Sequence, residues 1–394
     1  MSSQIAPIAI PPDLPPAPPG WRWHKLTDVA RLESGHTPSR SRPDWWGGDV
    51  SWISLTEIRA LDGKWVENTQ IRTNEYGIAN SAARILPRGT VCFSRTASVG
   101  FVTIMAAPMA TSQDFANWVC SDELDPEFLM YALICSRRKL RELATGATHK
   151  TIYMPMLEAF HVCVPSIEEQ RRIAARLKSQ LAEVEATRLA AQAQAQGVAR
   201  LADTIVLNSV REHPVVEHSL GDVLVEMKRG IGVDWSDHPV LGATRDGVAP
   251  AKEAPGKHAA KYKPVLPGTV FYNPMRILIG SIAFVDDDDT PGITSPDYVV
   301  LQGKPERVDS RWFYYWLRSP LGAACINSLA RGAVRERMLF NRLAEGKIEL
   351  PEFSVQQRAS AALKELKAVR TAINKQLREI DLLPQKILTH AFEK

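Results

Sequence analysis

The sequence contains no apolar run approaching the ~20 residues that a membrane-spanning helix needs, which excludes a helical membrane protein. It has no Cys-x-x-Cys pair. Its five cysteines (Cys92, Cys120, Cys135, Cys163 and Cys325) are scattered and odd in number. That argues against a disulfide framework and for reduced thiols in a cytoplasm. The first twenty residues hold seven prolines and no Lys or Arg, so the charged start of a signal peptide is missing. This composition predicts a proline-rich flexible tail over 1–20. An excess of charge is absent too. Forty-eight basic residues face 44 acidic ones, for a net charge of +4. Residues 21–165 hold 16 basic against 15 acidic residues, and residues 213–351 hold 17 against 17. Bulk charge therefore gives no footprint of a polyanionic partner, and any such footprint must come from local placement.

Signatures of catalysis are missing as well. There is no Walker A loop, no G-x-G-x-x-G, no H-E-x-x-H and no G-x-S-x-G. None of the nine histidines sits with Cys at zinc spacing. Pro296-Asp297 followed by Gln302-Gly303-Lys304 approaches a magnesium-nuclease pattern, but Gln302 cannot supply the anionic oxygen the metal requires. Tyr272-Asn273-Pro274-Met275 lacks the second proline and the aromatic of an amino-methyltransferase motif. The run Asp286–Asp289 fits no calcium loop and reads as a solvated turn.

What the chain does have is a duplication. LPRGTVCFSRTASVG from Leu86 is answered by LPGTVFYNPMRILIG from Leu266, and TSQDFANWV from Thr111 by TSPDYVVL from Thr294. DPEFLMYALICS from Asp125 is answered by DSRWFYYWLRSP from Asp309, and VPSIEEQRRIA from Val164 by LPEFSVQQRAS from Leu350. The order is kept, and the separation is far longer than the 20–50 residues of a solenoid unit. Two similar domains in one chain follow.

Each half reads as a mixed globular region followed by a long helix. VSWISL, TVCFSR, FVTIMA, HVCVP, TVFYNP, GSIAFV and YVVLQ read as strands. PEFLMYALICSRRKLREL and SRWFYYWLRSPLGAACINSLA read as amphipathic helices, with Trp312–Trp316 as packing residues. Ser166 with Glu169, and Ser354 with Gln357, read as capping boxes that start the two long helices. The first carries an apolar stripe from Ile173 to about Val210, a rod of roughly 65 Å. The second carries Ala359, Leu363, Leu366, Val369, Ile373, Leu377, Ile380 and Leu383, after which Pro384 should kink or interrupt it. Stripes this narrow fit a coiled-coil seam between the rods; each helix packing on its own domain is the alternative. The expected fold is α+β: two similar mixed α/β globular domains separated by two long antiparallel helices forming a coiled-coil spacer, in a pseudo-two-fold arrangement. The boundaries are 1–20 (tail), 21–165 (first domain), 166–212 (central spacer), 213–353 (second domain) and 354–394 (distal spacer).

LESGHTPSRSRPDWWGGDVSWISLTEI (Leu32–Ile58), LPRGTVCFSRTASVGFVTI, PSIEEQRRIAARL and the ending LPQKILTHAFEK together resemble the specificity subunits of type I restriction–modification systems. The second half departs at its entry, where GDVLVEMKRGIGVDW lacks the T-P-S and W-W-G-G-D elements. The resemblance implies a non-catalytic reader whose two target-recognition domains each read half of a bipartite double-stranded DNA target. It implies two methyltransferase subunits docked on the helices, with Arg171, Arg172 and Arg358 as candidate contacts, and restriction–translocase subunits in the full complex. It implies no cofactor in this chain, with SAM, ATP and magnesium on the partners, and a cytoplasmic location away from membranes. A two-headed coiled-coil scaffold that binds proteins is the alternative, and a degenerate nuclease or methyltransferase a third reading.

Recognition needs donors that reach base edges and groups that grip phosphate. Three polar loops of the first domain supply them: Thr37, Ser39, Arg40 and Arg42; Arg95, Thr96 and Ser98; and Thr148, His149 and Lys150. In the second domain the counterparts are Lys228 and Arg229; Asn273 and Arg276; and Arg331, Arg335 and Arg337.

Overall fold

The computed structural model describes residues 6–146, 149–330 and 337–393. The chain forms two compact units. One holds the chain up to Leu189 together with the segment from Arg378 onward; the other holds Ala190–Leu377. Both divisions fall inside long helices, Ile167–Arg211 and Phe353–Phe392, where the sequence placed domain boundaries at helix ends.

The first unit contains strands β1 (Ile8–Ala9), β2 (Arg22–Lys25), β3 (Ala30–Ser34), β4 (Trp46–Ile53), β5 (Trp65–Val66) and β6 (Arg72–Thr73). It continues with β7 (Val91–Ser94), β8 (Val102–Met105), β9 (Ala110–Thr111), β10 (Phe115–Cys120) and β11 (His161–Val164). Its main sheet runs β3-β10-β7-β8-β5, beside the smaller sheets β1-β11-β2 and β6-β4-β9. The second unit contains β12 (Val215–Ser219), β13 (Leu224–Glu226), β14 (Leu241–Thr244), β15 (Gly247–Pro250) and β16 (Lys263–Val265). It ends with β17 (Val270–Tyr272), β18 (Ile282–Phe284), β19 (Gly292–Thr294), β20 (Val299–Gly303) and β21 (Lys347–Pro351). Its main sheet runs β13-β20-β17-β18. The duplication is thus one strand order written twice, since β3-β10-β7-β8 and β13-β20-β17-β18 correspond member by member, as do β2-β11 and β12-β21.

The polar frame is repeated as well. In the first unit Asp125 caps the helix Pro126–Glu142 by accepting from the Phe128 amide at 2.9 Å. The buried Gln170 amide oxygen accepts from Asp125 N at 2.9 Å, while its Nε2 donates to the Glu123 and Pro165 carbonyls. In the second unit Asp309 caps Ser310–Arg318 through the Trp312 amide. Gln356 accepts from Asp309 N at 3.0 Å and donates to the Arg307 and Pro351 carbonyls. Each glutamine ties the start of a long helix to the start of a short one. A buried amide satisfied on both sides holds one geometry, because every alternative leaves polar groups unpaired.

The cores explain the rest. In the first unit Ile173, Ala174 and Leu177 of one long helix share a core with Leu388, Ala391 and Phe392 of the other. Phe392 lies 5.3 Å from Phe128 and 6.3 Å from Trp21, ring to ring. In the second unit Ala202, Val206 and Val210 share a core with Ala359 and Leu363. Both ends of both helices are therefore walls of globular cores, and Ala191, Ile373 and Ile380 are buried between those ends. Val369 and Leu383, expected in the stripe, are exposed; at 3.6 residues per turn they lie furthest around the helix from Leu363.

Several expectations are corrected. The proline-rich opening is not a loose tail where it is described: Ile8–Ala9 pair with His161–Val162, and Ile8 is buried with its amide on Ser136 Oγ. The helix expected over 310–330 breaks at Ser319-Pro320, because the residue before proline disfavours helical backbone; Ser319 is extended and caps the next helix, Pro320–Leu329. The second long helix starts at Phe353, so Ser354 lies inside it and Glu352 occupies the position equivalent to Ser166. Pro384 does not interrupt the helix, which runs on to Phe392 with one bond of its ladder missing. The first capping residue stands as read, with Glu169 N donating to Ser166 Oγ, although the Glu169 carboxylate turns to Arg172.

The acidic run is not a solvated turn either. Asp286 is buried and paired with Arg311, Asp287 with Arg311 and Lys364, and Asp288 and Asp289 with Lys367. These bonds pin the turn after β18 to the short helix and the long helix of its unit.

Candidate nucleic-acid interface

In the first unit the polar loops singled out from the sequence come together. The loop after β3 is anchored by aromatics. Trp52 Nε1 donates to the His36 carbonyl at 3.1 Å, Trp46 Nε1 donates to the Ser39 carbonyl at 3.2 Å, and the two indoles meet edge to face at 5.1 Å. The Arg40 guanidinium lies 5.9 Å and 6.0 Å from the two ring centres. Gly35 makes this approach possible, since a Cβ there would overlap the Thr111 hydroxyl and the Ser112 carbonyl. Ser39 Oγ bonds Ser41 Oγ at 2.8 Å.

The loop after β7 is fixed from beneath. Buried Ser94 Oγ donates to the Ser98 carbonyl at 2.5 Å and accepts from Phe101 N at 2.9 Å. Ala97 takes a left-handed backbone, φ 55°, at the tip between Thr96 and Ser98. The third loop lies against it: Ala97 N donates to the Lys150 carbonyl at 2.9 Å, Ile152 N to the Arg95 carbonyl at 2.9 Å, and Thr96 bridges Thr151. His149 and Lys150 are exposed there, and Thr148 lies outside the described residues.

The first two loops share a node that the sequence reading missed. Gln113 sits on the turn between β9 and β10. Its Oε1 accepts from Thr37 Oγ1 at 2.5 Å, and its backbone carbonyl accepts from Arg95 Nε at 3.2 Å. The signal was available, for Thr111–Asp114 aligns with Thr294–Asp297, a stretch read only as part of the duplication.

The second unit builds the same corner with other side chains. Met338 N donates to the Pro274 carbonyl at 3.0 Å, the counterpart of Ile152 on Arg95. Asp297 N bonds Ser295 Oγ as Asp114 N bonds Ser112 Oγ. Asn273 caps its own turn by accepting from Met275 N at 3.0 Å, and Arg276 is exposed beyond it. Arg229 is exposed beside Gly230, where a Cβ would sit 2.6 Å from the Ala260 carbonyl. Arg331 and Arg335 lie outside the described residues. The missed node here is Lys263, which donates to the Tyr298 carbonyl at 2.7 Å; burial pushes its ammonium below the ordinary lysine range.

Three expected donors already hold carboxylates. Arg42 grips Asp44 at 3.0 Å and 2.8 Å, which raises the guanidinium and lowers the carboxyl from their ordinary values. Lys228 lies 3.2 Å from Glu226, and Arg337 lies 3.1 Å from Asp297. Solvent-screened pairs of this kind are weak, so a phosphate can displace the carboxylate. Arg95 is committed differently, to the Gln113 and Ile152 carbonyls, and braces loops rather than presenting its charge. The thiols offer no nucleophile: burial pushes Cys135 up to about 12 and Cys163 up to about 11. Among the described residues no group of three or more His, Cys, Asp or Glu side chains is placed to hold a metal ion, and no helix is long and apolar enough to cross a membrane.

Residues 18–193 match the family described as the type I restriction modification DNA specificity domain. The chain is 28% identical over 164 residues to the type I restriction enzyme MjaIX specificity subunit of Methanocaldococcus jannaschii, covering 41% of this chain and 38% of that one. It therefore aligns with well under half of that relative's length. Over residues 18–193 the chain is thus similar to type I specificity subunits. Two solved structures share the fold over nearly the whole length. One is a chain from a structure of complex assembly and conformational transition in a type I R-M system, with TM-score 0.65, 19% identity and coverage of 96% of this chain and 98% of that one. The other is the type I restriction–modification S subunit from M. genitalium, with TM-score 0.51, 16% identity and coverage of 94% and 96%. The family match covers the first unit's corner of loops; the second unit carries the same strand order beyond it.

Proposed function

We propose that this chain is the non-catalytic DNA-specificity subunit of a type I restriction–modification complex, each mixed α/β unit reading one half of a bipartite double-stranded target. The observation that carries this is the contrast between frame and loops. Strand order, helix caps and glutamine clamps are the same in both units. The polar corner built on them differs: Thr37, Arg40 and Gln113 in one, Arg229, Lys263 and Arg276 in the other. Equal frames with unequal donor sets suit two different base sequences on one DNA. The expected base and phosphate contacts are the exposed members of each corner, with Arg42, Lys228 and Arg337 exchanging carboxylate for phosphate. The long helices, whose outward faces are polar, would dock two methyltransferase subunits; restriction–translocase subunits would join these in the cytoplasm. SAM, ATP and magnesium belong on those partners.

The test is base-modification sequencing of cells carrying this chain with its methyltransferase. One bipartite methylated motif is expected. Replacing residues 213–351 by the corresponding segment of another specificity subunit should alter one half of the motif and leave the other unchanged. Change in both halves, or in neither, would refute the two-reader assignment. Purified chain that cleaved DNA with magnesium, or methylated it with SAM, would refute the non-catalytic one.

A further inference from the structure

We propose that Gln113 is a specificity-determining residue of the first unit, a carboxamide that reads an adenine edge, with Thr37 as its positioning residue. The inference rests on the DNA-reading assignment and goes beyond it to one side chain and one base. Gln113 is exposed at the point where the loops after β3 and β7 and the turn before β10 meet. Its backbone is held from three directions. Ser112 N donates to the Ile53 carbonyl at 3.0 Å, the Gln113 carbonyl accepts from Arg95 Nε, and the Asp114 carbonyl accepts from Arg95 N at 2.8 Å. Thr37 then fixes the side chain by donating to Oε1. An amide oxygen has two acceptor sites, so one remains after Thr37, and Nε2 has no hydrogen-bond partner among the described residues. One acceptor next to one donor on a rigid planar group is the pattern that pairs bidentately with adenine N6 and N7. A side chain already ordered loses little freedom on binding, which favours specificity at this site. The equivalent position in the second unit is Pro296, which carries no such group, so the effect must be confined to one half of the target.

The experiment uses the full chain assembled with its methyltransferase subunits and reads the methylated motif genome-wide for wild type, Gln113→Ala, Gln113→Glu, Thr37→Val and Thr37→Ser. Gln113→Ala should relax one position of one half-site, with discrimination there falling about tenfold or more, and leave the other half intact. The intact half shows that the variant is folded. Gln113→Glu places two acceptors where an acceptor and a donor stood, and should move the preference at that position from adenine toward cytosine, whose N4 donates. Thr37→Val should relax the same position less, and Thr37→Ser should restore it. An unchanged motif in both Gln113 variants would overturn the proposal. So would a uniform weakening across all sequences with a shallower salt dependence, which would make Gln113 a phosphate contact. A wild-type complex giving no bipartite motif would instead overturn the DNA-reading assignment, so the two failures are distinguishable.

Discussion

Replacing Gln170 by alanine should cost the first unit about 3–5 kcal/mol, far more than a polar residue near a helix start usually contributes. Its side chain makes three hydrogen bonds, at 2.9, 3.0 and 3.1 Å, from a buried position. At about 1 kcal/mol net each, the bonds account for about 3 kcal/mol, and the peptide groups left unpaired at Asp125, Glu123 and Pro165 supply the rest. Glutamate is no rescue: it still accepts from Asp125 N but sets a carboxylate against two carbonyls. The assay is amide hydrogen exchange across residues 123–130. A loss of about 3 kcal/mol in local opening speeds exchange by roughly 150-fold at Asp125 and Phe128. Gln356→Ala should do the same at Asp309 and Trp312. Each substitution should act in its own unit. If Gln170→Ala changed exchange at Asp125 by less than about fivefold, or sped it equally at Asp309, the local-clamp reasoning would be wrong.

Asp286→Asn should destabilise the second unit by about 3 kcal/mol at pH 7, because Arg311 and Lys367 lose a buried partner. Burial pushes the Asp286 carboxyl up, but Arg311 and Lys367 more than offset it and hold it below the ordinary carboxylate range. A depressed folded value stabilises the fold above the unfolded value of about 3.9 and ceases to do so as pH falls through the folded value. Urea unfolding should therefore separate variant from wild type at pH 7, and the gap should narrow under acid below that range. Phe392→Ala should cost about 3–5 kcal/mol by opening a cavity against Phe128 and Trp21, read as a lower unfolding midpoint in the first unit with the second unchanged. Arg40→Ala should weaken DNA binding and lower its salt slope by about one if the guanidinium meets phosphate; an unchanged slope would assign it to a base or to loop packing.

Much of the fold could be read from local signals. Strands β7, β8, β17 and β20, the helix at Pro126 and the first long helix each announce themselves by alternation, periodicity or a cap. Other features depend on partners distant in the chain. Nothing near Ile8 reveals that it will pair with Val162, and nothing near Asp286 reveals Arg311 and Lys367. The break at Ser319-Pro320 was written locally, but the aromatic run before it and the alanines after it both suit a helix, so periodicity overrode the proline. Loop chemistry divided the same way. Residue type picked out Thr37, Arg40 and the loop at Arg95, whereas Gln113 and Lys263 emerge only once segments 18 to 76 residues apart bring their neighbours together. At Arg42, Lys228 and Arg337 the ion pair was not legible, because a carboxylate within reach is not visible in a list of basic residues.

The shared helices impose an order of assembly in time. The second unit is continuous in the chain, Ala190–Leu377, whereas the first is divided, with its last piece beginning at Arg378. On a ribosome, residues lining the first core would be synthesised early and wait. Trp21 and Phe128 would emerge hundreds of residues before Phe392, which packs against both. For that interval the earlier-made unit carries an open apolar slot. The half of the protein translated first thus completes its core only with the piece that begins at Arg378.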